Sequence, residues 1–288
     1  MKQDAFSRCH PVVNFIYFAL AIGFGVVIQH PAYMLAAVVG AALYFLLLKG
    51  RKGIGTILFL VPVFLLIAAV NPVFNTLGET ELFQLFGKPY TWEALCYGAV
   101  VGGMFVVMML WFGCYSEVLT SDKFTSLFGN LIPALSLLLV MVLRMIPNLM
   151  RKTSQISGAR KSIGKTGETG TKKEKIRSGM TILSALTDWA LEGSIVTADS
   201  MRARGYGCAK RTNFQIYRMH TRDWFLLSVT LLLGAATILA GGRTAEFIPA
   251  MQIAPLTWGF AAYCAFLLVP TALHLKEAMV WHILRSKI

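Results

Sequence analysis

Apolar residues gather in seven long stretches along the chain, and a long polar region separates the fifth stretch from the sixth. The stretches cover residues 12–28, 33–48, 54–70, 92–115, 127–150, 224–240 and 253–273. A helix needs about 20 predominantly apolar residues to cross the ~30 Å hydrocarbon core of a bilayer, and about 17 still suffice. The pattern therefore predicts an all-α, polytopic membrane protein.

The distribution of positive charge indicates which of these stretches cross the membrane. Lysine and arginine concentrate in the cytoplasmic loops of membrane proteins. Lys2 and Arg8 precede the first stretch, and further basic residues lie at 49–52, directly after the second. Residues 151–222 hold 15 lysines and arginines against 5 acidic residues. This polar region is therefore predicted to be cytoplasmic, like the N-terminus.

Five crossings before the polar region would place it outside the cell, so one of the first five stretches does not cross. Residues 127–150 are the best candidate because they contain Pro133, Pro147 and a charged residue, Arg144. A charge within a span is costly and marks either function or a segment that does not span. We therefore predict about six transmembrane helices, both termini cytoplasmic, and a hydrophobic helix at 127–150 on the cytoplasmic side.

The polar region ends in a predicted helix that begins near Met180. Apolar residues at helical spacing form one stripe, and acidic residues are predicted to line the opposite side. The apolar positions are Ile182, Leu186, Trp189 and Val196, and the acidic positions are Asp188, Glu192 and Asp199. Gly205 and Gly207 offer the positive φ angles that end a helix. Arg202 and Arg204 are thus predicted at the tip of a rod ~37 Å long, a shape suited to reaching another protein.

These features divide the chain into three parts. Residues 1–126 are predicted to form an N-terminal membrane part with four spans, residues 127–222 a cytoplasmic part, and residues 223–288 a C-terminal membrane part with two spans. Within the cytoplasmic part, residues 164–175 combine three glycines with many charges and no apolar side chain. This composition predicts a flexible loop.

Catalytic and ligand-binding motifs are weak. Residues 159–166 are similar to a phosphate-binding loop, but no strand is predicted before them, so the match is interpreted as accidental. The histidines and cysteines lack metal-ligand spacing, and we predict no metal site and no cofactor. In a polytopic chain, the formal net charge of +13 indicates cytoplasmic loops at a lipid bilayer, not binding to nucleic acid. The spans carry almost no ionisable residue, which argues against an ion-coupled carrier.

Two short basic triplets lie near the two ends of the polar region, and each has an arginine in its centre. They are Ala159-Arg160-Lys161 and Ala203-Arg204-Gly205. Two further segments accompany them: Asn71-Pro72-Val73-Phe74-Asn75 and Leu143-Arg144-Met145-Ile146-Pro147. With the longer stretch at 197–207, these segments resemble the transmembrane T component of energy-coupling-factor (ECF) transporters, which import vitamins and metal ions such as cobalt and nickel. The resemblance covers essentially the whole chain.

The resemblance implies a non-catalytic coupling subunit in the plasma membrane of a prokaryote. In this family, cytoplasmic coupling helices dock on two ATP-binding-cassette (ABC) ATPase subunits, and a separate membrane S component binds the substrate. The ATPase-docking residues carried over are Arg204, Ala203, Gly205, Arg160, Ala159 and Lys161, with Arg202 and Arg144 as supporting residues. Lys161 departs from the glycine that usually ends the first triplet, so the second triplet matches the family more closely.

Two other hypotheses stay open at this point. A self-sufficient secondary transporter or channel would move its substrate without an ATPase, and a membrane-embedded enzyme would need a catalytic cluster that the sequence does not offer. The glycines of the fourth stretch also have two interpretations: sliding against the S component, or ordinary packing within the chain. These glycines are Gly98, Gly102, Gly103 and Gly113.

Overall fold

The computed structural model describes residues 6–75, 80–85, 88–120, 123–124, 126–127, 133–164, 171–208, 217–240, 245–246 and 252–285. The helices are α1 (Pro11–Val27), α2 (Pro31–Lys49), α3 (Arg51–Phe74), α4 (Trp92–Val118), α5 (Pro133–Ser162), α6 (Lys172–Ala203), α7 (Thr221–Leu239) and α8 (Trp258–Arg285). The strands are β1 (Glu81–Leu85), β2 (Lys88–Thr91), β3 (Ala245–Glu246) and β4 (Gln252–Ile253). The chain forms two compact units, called here the membrane unit (Met1–Phe124 with Tyr217–Ile288) and the helix-pair unit (Thr125–Ile216).

Five helices of the membrane unit are long and apolar enough to cross a bilayer: α2, α3, α4, α7 and the Trp258–Glu277 part of α8. Helix α1 is also apolar and has 17 residues, which is the lower limit for a span. These six helices coincide with the six stretches predicted to cross, and α5 and α6 are not among the described candidates. The predicted all-α, polytopic membrane fold is confirmed.

Two histidines cap the helices that follow them. The Nδ1 atom of His10 accepts a hydrogen bond from the backbone N–H of Val12 at 3.3 Å. His30 does the same for Ala32 at 3.1 Å, and a proline occupies the first position of each helix. These contacts satisfy backbone donors that a helix start leaves unpaired, and proline at the first position has no such donor to satisfy.

The third span ends later than the predicted residue 70, and a hairpin follows it. Helix α3 continues through both Pro62 and Pro72 to Phe74, because membrane helices tolerate proline where neighbouring groups compensate for the lost hydrogen bond. The segment between α3 and α4 contains a hairpin, in which β1 pairs antiparallel with β2. Thr80 Oγ1 donates to the Glu93 carboxylate at 2.6 Å, which ties this hairpin to the first turn of α4.

The glycines of α4 pack against neighbours within the membrane unit. A Cβ atom at Gly98 would lie 2.6 Å from the carbonyl oxygen of Ala68 on α3, and one at Gly102 would lie 3.0 Å from the Phe64 ring. Gly103 and Gly113 are equally close to side chains of α2. Small residues four apart allow the backbones of membrane helices to approach closely. The intramolecular interpretation of these glycines therefore holds in this structure.

A proline in α8 leaves a carbonyl that another helix satisfies. Pro270 has no N–H, so the carbonyl of Phe266 loses its partner within the helix. The buried hydroxyl of Tyr17, on α1, donates toward the carbonyl oxygens of Phe266 and Leu267, at 3.4 Å from each. The Tyr17 ring also stacks on Phe266, with 4.9 Å between ring centroids. This contact fixes α1 against the interrupted part of α8.

Tyr17→Phe should therefore destabilise the membrane unit modestly, by about 0.6 kcal/mol and at most ~2 kcal/mol, the range for hydrogen bonds between membrane helices. The unfolding midpoint of the purified protein in a detergent series measures this change. Tyr115→Phe is the matched control, because its ring packs on Phe18 while its hydroxyl forms no hydrogen bond with any described residue. Equal shifts for the two variants would contradict the role given to the Tyr17 hydroxyl.

Candidate docking site

The helix-pair unit contains the predicted docking residues, and its second helix is longer than the sequence analysis expected. Helix α6 has 32 residues and is therefore ~48 Å long. It begins at Lys172 with a capping box, in which the Glu174 carboxylate accepts from the Thr171 N–H at 2.9 Å. The predicted start near Met180 is thus too late, and the predicted loop at 164–175 ends before Lys172. Residues 165–170 lie outside the described part.

Helix α6 has one half-buried stripe, and α5 contacts it. The stripe contains Ser178, Ile182, Leu186, Trp189 and Gly193. Nζ of Lys152, on α5, lies 5.6 Å from the centroid of the Trp189 ring, within the range of a cation–π interaction. Three of the four predicted apolar positions belong to this stripe. Val196 does not, because it is 63% exposed.

The side of α6 opposite the stripe is apolar and exposed, contrary to the prediction of an acidic side there. At 100° per residue, the three acidic residues lie about 100° from the stripe instead of opposite it. All three are exposed, and none forms an ion pair within the described residues. The opposite side carries Met180, Leu183, Leu191 and Ile195, each more than half exposed. This apolar row is unsuited to water and suited to a partner.

The C-terminal end of α6 has the geometry that its two glycines predicted. Gly205 has φ +78° and Gly207 has φ +93°. The N–H of Gly205 donates to the carbonyl of Arg202, and the N–H of Tyr206 donates to the carbonyl of Met201, both at 3.0 Å. This pair of bonds is the Schellman arrangement, which ends a helix abruptly by means of one left-handed residue.

The side chains at this end project from the fold. Ala203 is the last helical residue, and Arg204 is the C-cap directly before the left-handed Gly205. Ala203, Arg204 and Arg202 are all exposed. A cation at a helix C-terminus is favoured by the helix dipole, so the arginines do not destabilise the end that presents them. The structure thus presents Arg204 at the tip of a long rigid helix.

Gly205→Val should disorganise this tip without removing a charge. A β-branched residue at φ +78° is strained by roughly 1–2 kcal/mol, so the Schellman bonds should open more often. Hydrogen exchange of the Tyr206 amide should then accelerate about five- to thirtyfold, as far as local opening controls it. Gly205→Asn should accelerate it less, since asparagine tolerates the left-handed region. Unchanged exchange in the valine variant would contradict this role of Gly205.

The Arg160 end is built differently. Helix α5 continues past Arg160 and Lys161 to Ser162, and Gly164, at φ +76°, follows the helix. Arg160 is half-buried, and its Nη2 donates to Ser178 Oγ on α6 at 3.2 Å. Its Nε is covered and has no hydrogen-bond partner within the described residues. Arg160 therefore lies inside the last turn and is turned toward the other helix.

The predicted site residues thus form two separate groups. Ser178, the contact of Arg160, precedes Arg204 by 26 residues on the same helix, so the two ends are ~39 Å apart. Ala159 and Lys161 are exposed beside Arg160. Arg144 is exposed on α5, but it lies 16 residues, or ~24 Å along the helix, from Arg160.

Ser178 is a site residue that the sequence analysis did not identify. It extends the apolar stripe of α6 by one turn toward the N-terminus, at the same four-residue spacing. The capping-box sequence Thr171-Lys172-Lys173-Glu174 would have moved the predicted helix start upstream and included Ser178. Among the described residues, no group of three or more His, Cys, Asp or Glu side chains is arranged to hold a metal ion.

Taken together, these observations define a multi-pass helical membrane protein with a separate pair of helices that presents an exposed arginine. The family model described as "CbiQ: Cobalt transport protein" matches residues 7–215, which is more than half of the chain. The chain therefore belongs to the CbiQ family. This membership confirms the resemblance to the transmembrane T component of ECF transporters. The words "cobalt transport" describe the family model and do not identify a substrate of this chain.

Curated relatives agree with the family match. An "Energy-coupling factor transporter transmembrane protein EcfT" of Streptococcus equi subsp. equi is 28% identical over 185 residues, which are 59% of this chain and 67% of the relative. The protein of the same name from Staphylococcus aureus is 26% identical over 199 residues, 65% of this chain and 72% of the relative. That of Macrococcus caseolyticus is 35% identical over 104 residues, 34% of this chain and 39% of the relative.

Proposed function

We propose that this chain is the non-catalytic coupling subunit of an ECF-type importer for a vitamin or a transition metal. The observation that carries the proposal is the exposed Arg204 at the end of a 32-residue helix, directly before a left-handed glycine. ATP is bound and hydrolysed by two ABC ATPase subunits, and an S component in the membrane binds the substrate. The chain itself transmits the motion of the ATPases to the S component.

Docking relies on the chemistry of arginine. A guanidinium group offers several donors in a planar fork, so it makes paired hydrogen bonds to a carboxylate or to the carbonyl groups at a helix end. Arg204 would dock in a groove of one ATPase, and Arg160 in a groove of the other. The ~39 Å along α6 between Ser178, the contact of Arg160, and Arg204 would keep the two ATPase subunits apart.

Contact with the S component would use the exposed apolar surfaces of α5 and α6. Helix α5 carries Leu138, Val142, Ile146 and Met150 at intervals of four, each exposed by more than two fifths. These residues, and the apolar row on the side of α6 that faces away from α5, are exposed apolar surfaces that suit a membrane partner better than water. Movement of either helix on closure of the ATPases would shift this surface.

The orientation follows from charge. Residues 151–222 carry 15 basic and 5 acidic residues, and the positive-inside rule favours their cytoplasmic location. With six spans, both termini are then cytoplasmic too, and the ATPases have access to Arg160 and Arg204. The membrane is the plasma membrane of a prokaryote.

Copurification tests this proposal directly. The tagged chain is expressed in its native host, extracted in a mild detergent and captured, and the captured proteins are identified by mass spectrometry. We expect ABC ATPase subunits and a second membrane protein with the wild type, and loss of the ATPases with the double variant Arg160→Ala/Arg204→Ala. If no ATPase is captured and the chain alone transports substrate in liposomes, the alternative of a self-sufficient transporter replaces the proposal.

A further inference from the structure

The two arginines proposed to dock the ATPases differ in how the fold holds them. Arg204 is exposed and is followed at once by the glycine that ends its helix. Arg160 is half-buried and hydrogen-bonded to Ser178, and its helix ends only after Ser162. Lys161, in the place of the family's usual glycine, permits this helical continuation. The difference is therefore built into the sequence of the first triplet.

The contacts of Arg160 are incomplete. One guanidinium nitrogen donates to a neutral hydroxyl, while the covered Nε–H has no acceptor within the described residues. A covered donor without an acceptor is unfavourable because it has lost its hydrogen bonds to water and gained none in return. A carboxylate pairs with Nε and one Nη at the same time, so an acidic partner would satisfy both. Arg160 is thus held by one bond, with a better partner available outside the chain.

We propose that the two ATPase sites of this chain differ in their affinity for an ATPase, and that Ser178 causes the difference. This inference rests on the proposed function. Arg204 is ready to dock, whereas Arg160 must first leave Ser178 and turn away from α6. A site that is competent only part of the time binds with an affinity reduced by that fraction. The Arg204 site is the tighter one, and the acceptor at the Arg160 site is a carboxylate that takes both Nε and Nη2.

Removing the hydroxyl of Ser178 tests the proposal. The chain is placed in lipid nanodiscs, and the ATPase subunits captured in the copurification are titrated onto it. An Arg204→Ala background isolates the Arg160 site, and an Arg160→Ala background isolates the Arg204 site. In the first background Ser178→Ala should tighten ATPase binding about three- to tenfold, as expected for the loss of one competing hydrogen bond. In the second background it should change nothing.

Controls separate this effect from a general change in α6. Ser184→Ala alters an exposed serine of the same helix and should leave both sites unchanged. Ser178→Thr keeps a hydroxyl and should restore the affinity of the wild type. Weaker or unchanged binding of Ser178→Ala in the Arg204→Ala background overturns the proposal, as do equal losses from the two single arginine variants. Failure of the wild type to bind any ATPase overturns the proposed function instead.

Discussion

Replacing Arg204 by alanine is expected to weaken ATPase binding at the C-terminal end of α6 by roughly thirtyfold to a few thousandfold. This range corresponds to the 2–5 kcal/mol that follow from truncating one partner of a buried, hydrogen-bonded charge pair. The whole loss should fall on docking, since the Arg204 side chain is exposed and stabilises nothing else in the described fold. Titration of the ATPases onto nanodiscs that carry an Arg160→Ala chain measures it.

Two variants make this result interpretable. Arg204→Lys keeps the charge but loses the planar fork, so it should recover only part of the affinity. Arg222→Ala removes an equal charge from an exposed position in the membrane unit and should bind like the wild type. If Arg222→Ala weakens binding as much as Arg204→Ala, overall charge and not a docking arginine governs the association.

Replacing Gly98 by leucine should destabilise the membrane unit by about 3 kcal/mol or more. Overpacking usually costs about 1–3 kcal/mol, and the upper end applies here because the new Cβ meets a backbone oxygen at 2.6 Å. The carbonyl of Ala68 belongs to a helix, so it can move only if α3 moves away from α4. We expect a large drop in the thermal midpoint in detergent and less folded protein in the membrane.

Gly55→Leu provides the comparison for this prediction. Gly55 lies on α3, the same helix that Gly98 contacts, but apart from the nearby backbone of α3 itself, no described atom lies within 4 Å of the position of an added Cβ. The leucine should therefore project into lipid and leave the thermal midpoint nearly unchanged. Equal destabilisation by both variants would mean that added bulk on any of these helices, and not the α3–α4 approach, is what lowers stability.

The spans were predictable because the bilayer imposes one simple requirement on composition. Every lipid-facing backbone group must be hydrogen-bonded within the chain, so a span is a helix about 20 residues long. The hairpin of β1 and β2 could not be predicted in the same way. Its strands have five and four residues, and it is fastened by Thr80 to Glu93, a contact between side chains 13 residues apart.

The two arginines proposed to dock the ATPases also differ in whether local or distant residues determine their positions. The end of α6 at Arg204 was predictable because Gly205, its direct neighbour, determines the backbone there. The position of Arg160 was not, since it depends on Ser178, a residue of another helix. The acidic positions on α6 were misplaced because their own angle was misjudged: at 100° per residue they lie only about 95° from the mean of the four predicted apolar positions, not opposite them.

Because α6 is one uninterrupted helix, the distance of Arg204 along the helix axis and its angle around that axis change together. Each residue added to or removed from the helix changes the reach by 1.5 Å and swings the arginine by about 100° around the axis. Removing one residue would rotate Arg204 by about 100° around the helix axis. Removing seven residues would shorten the helix by ~10 Å but rotate the arginine by only ~20°. Under the proposed docking, the spacing of the two ATPases can therefore change with little rotation of Arg204 only in steps such as seven, eleven or eighteen residues.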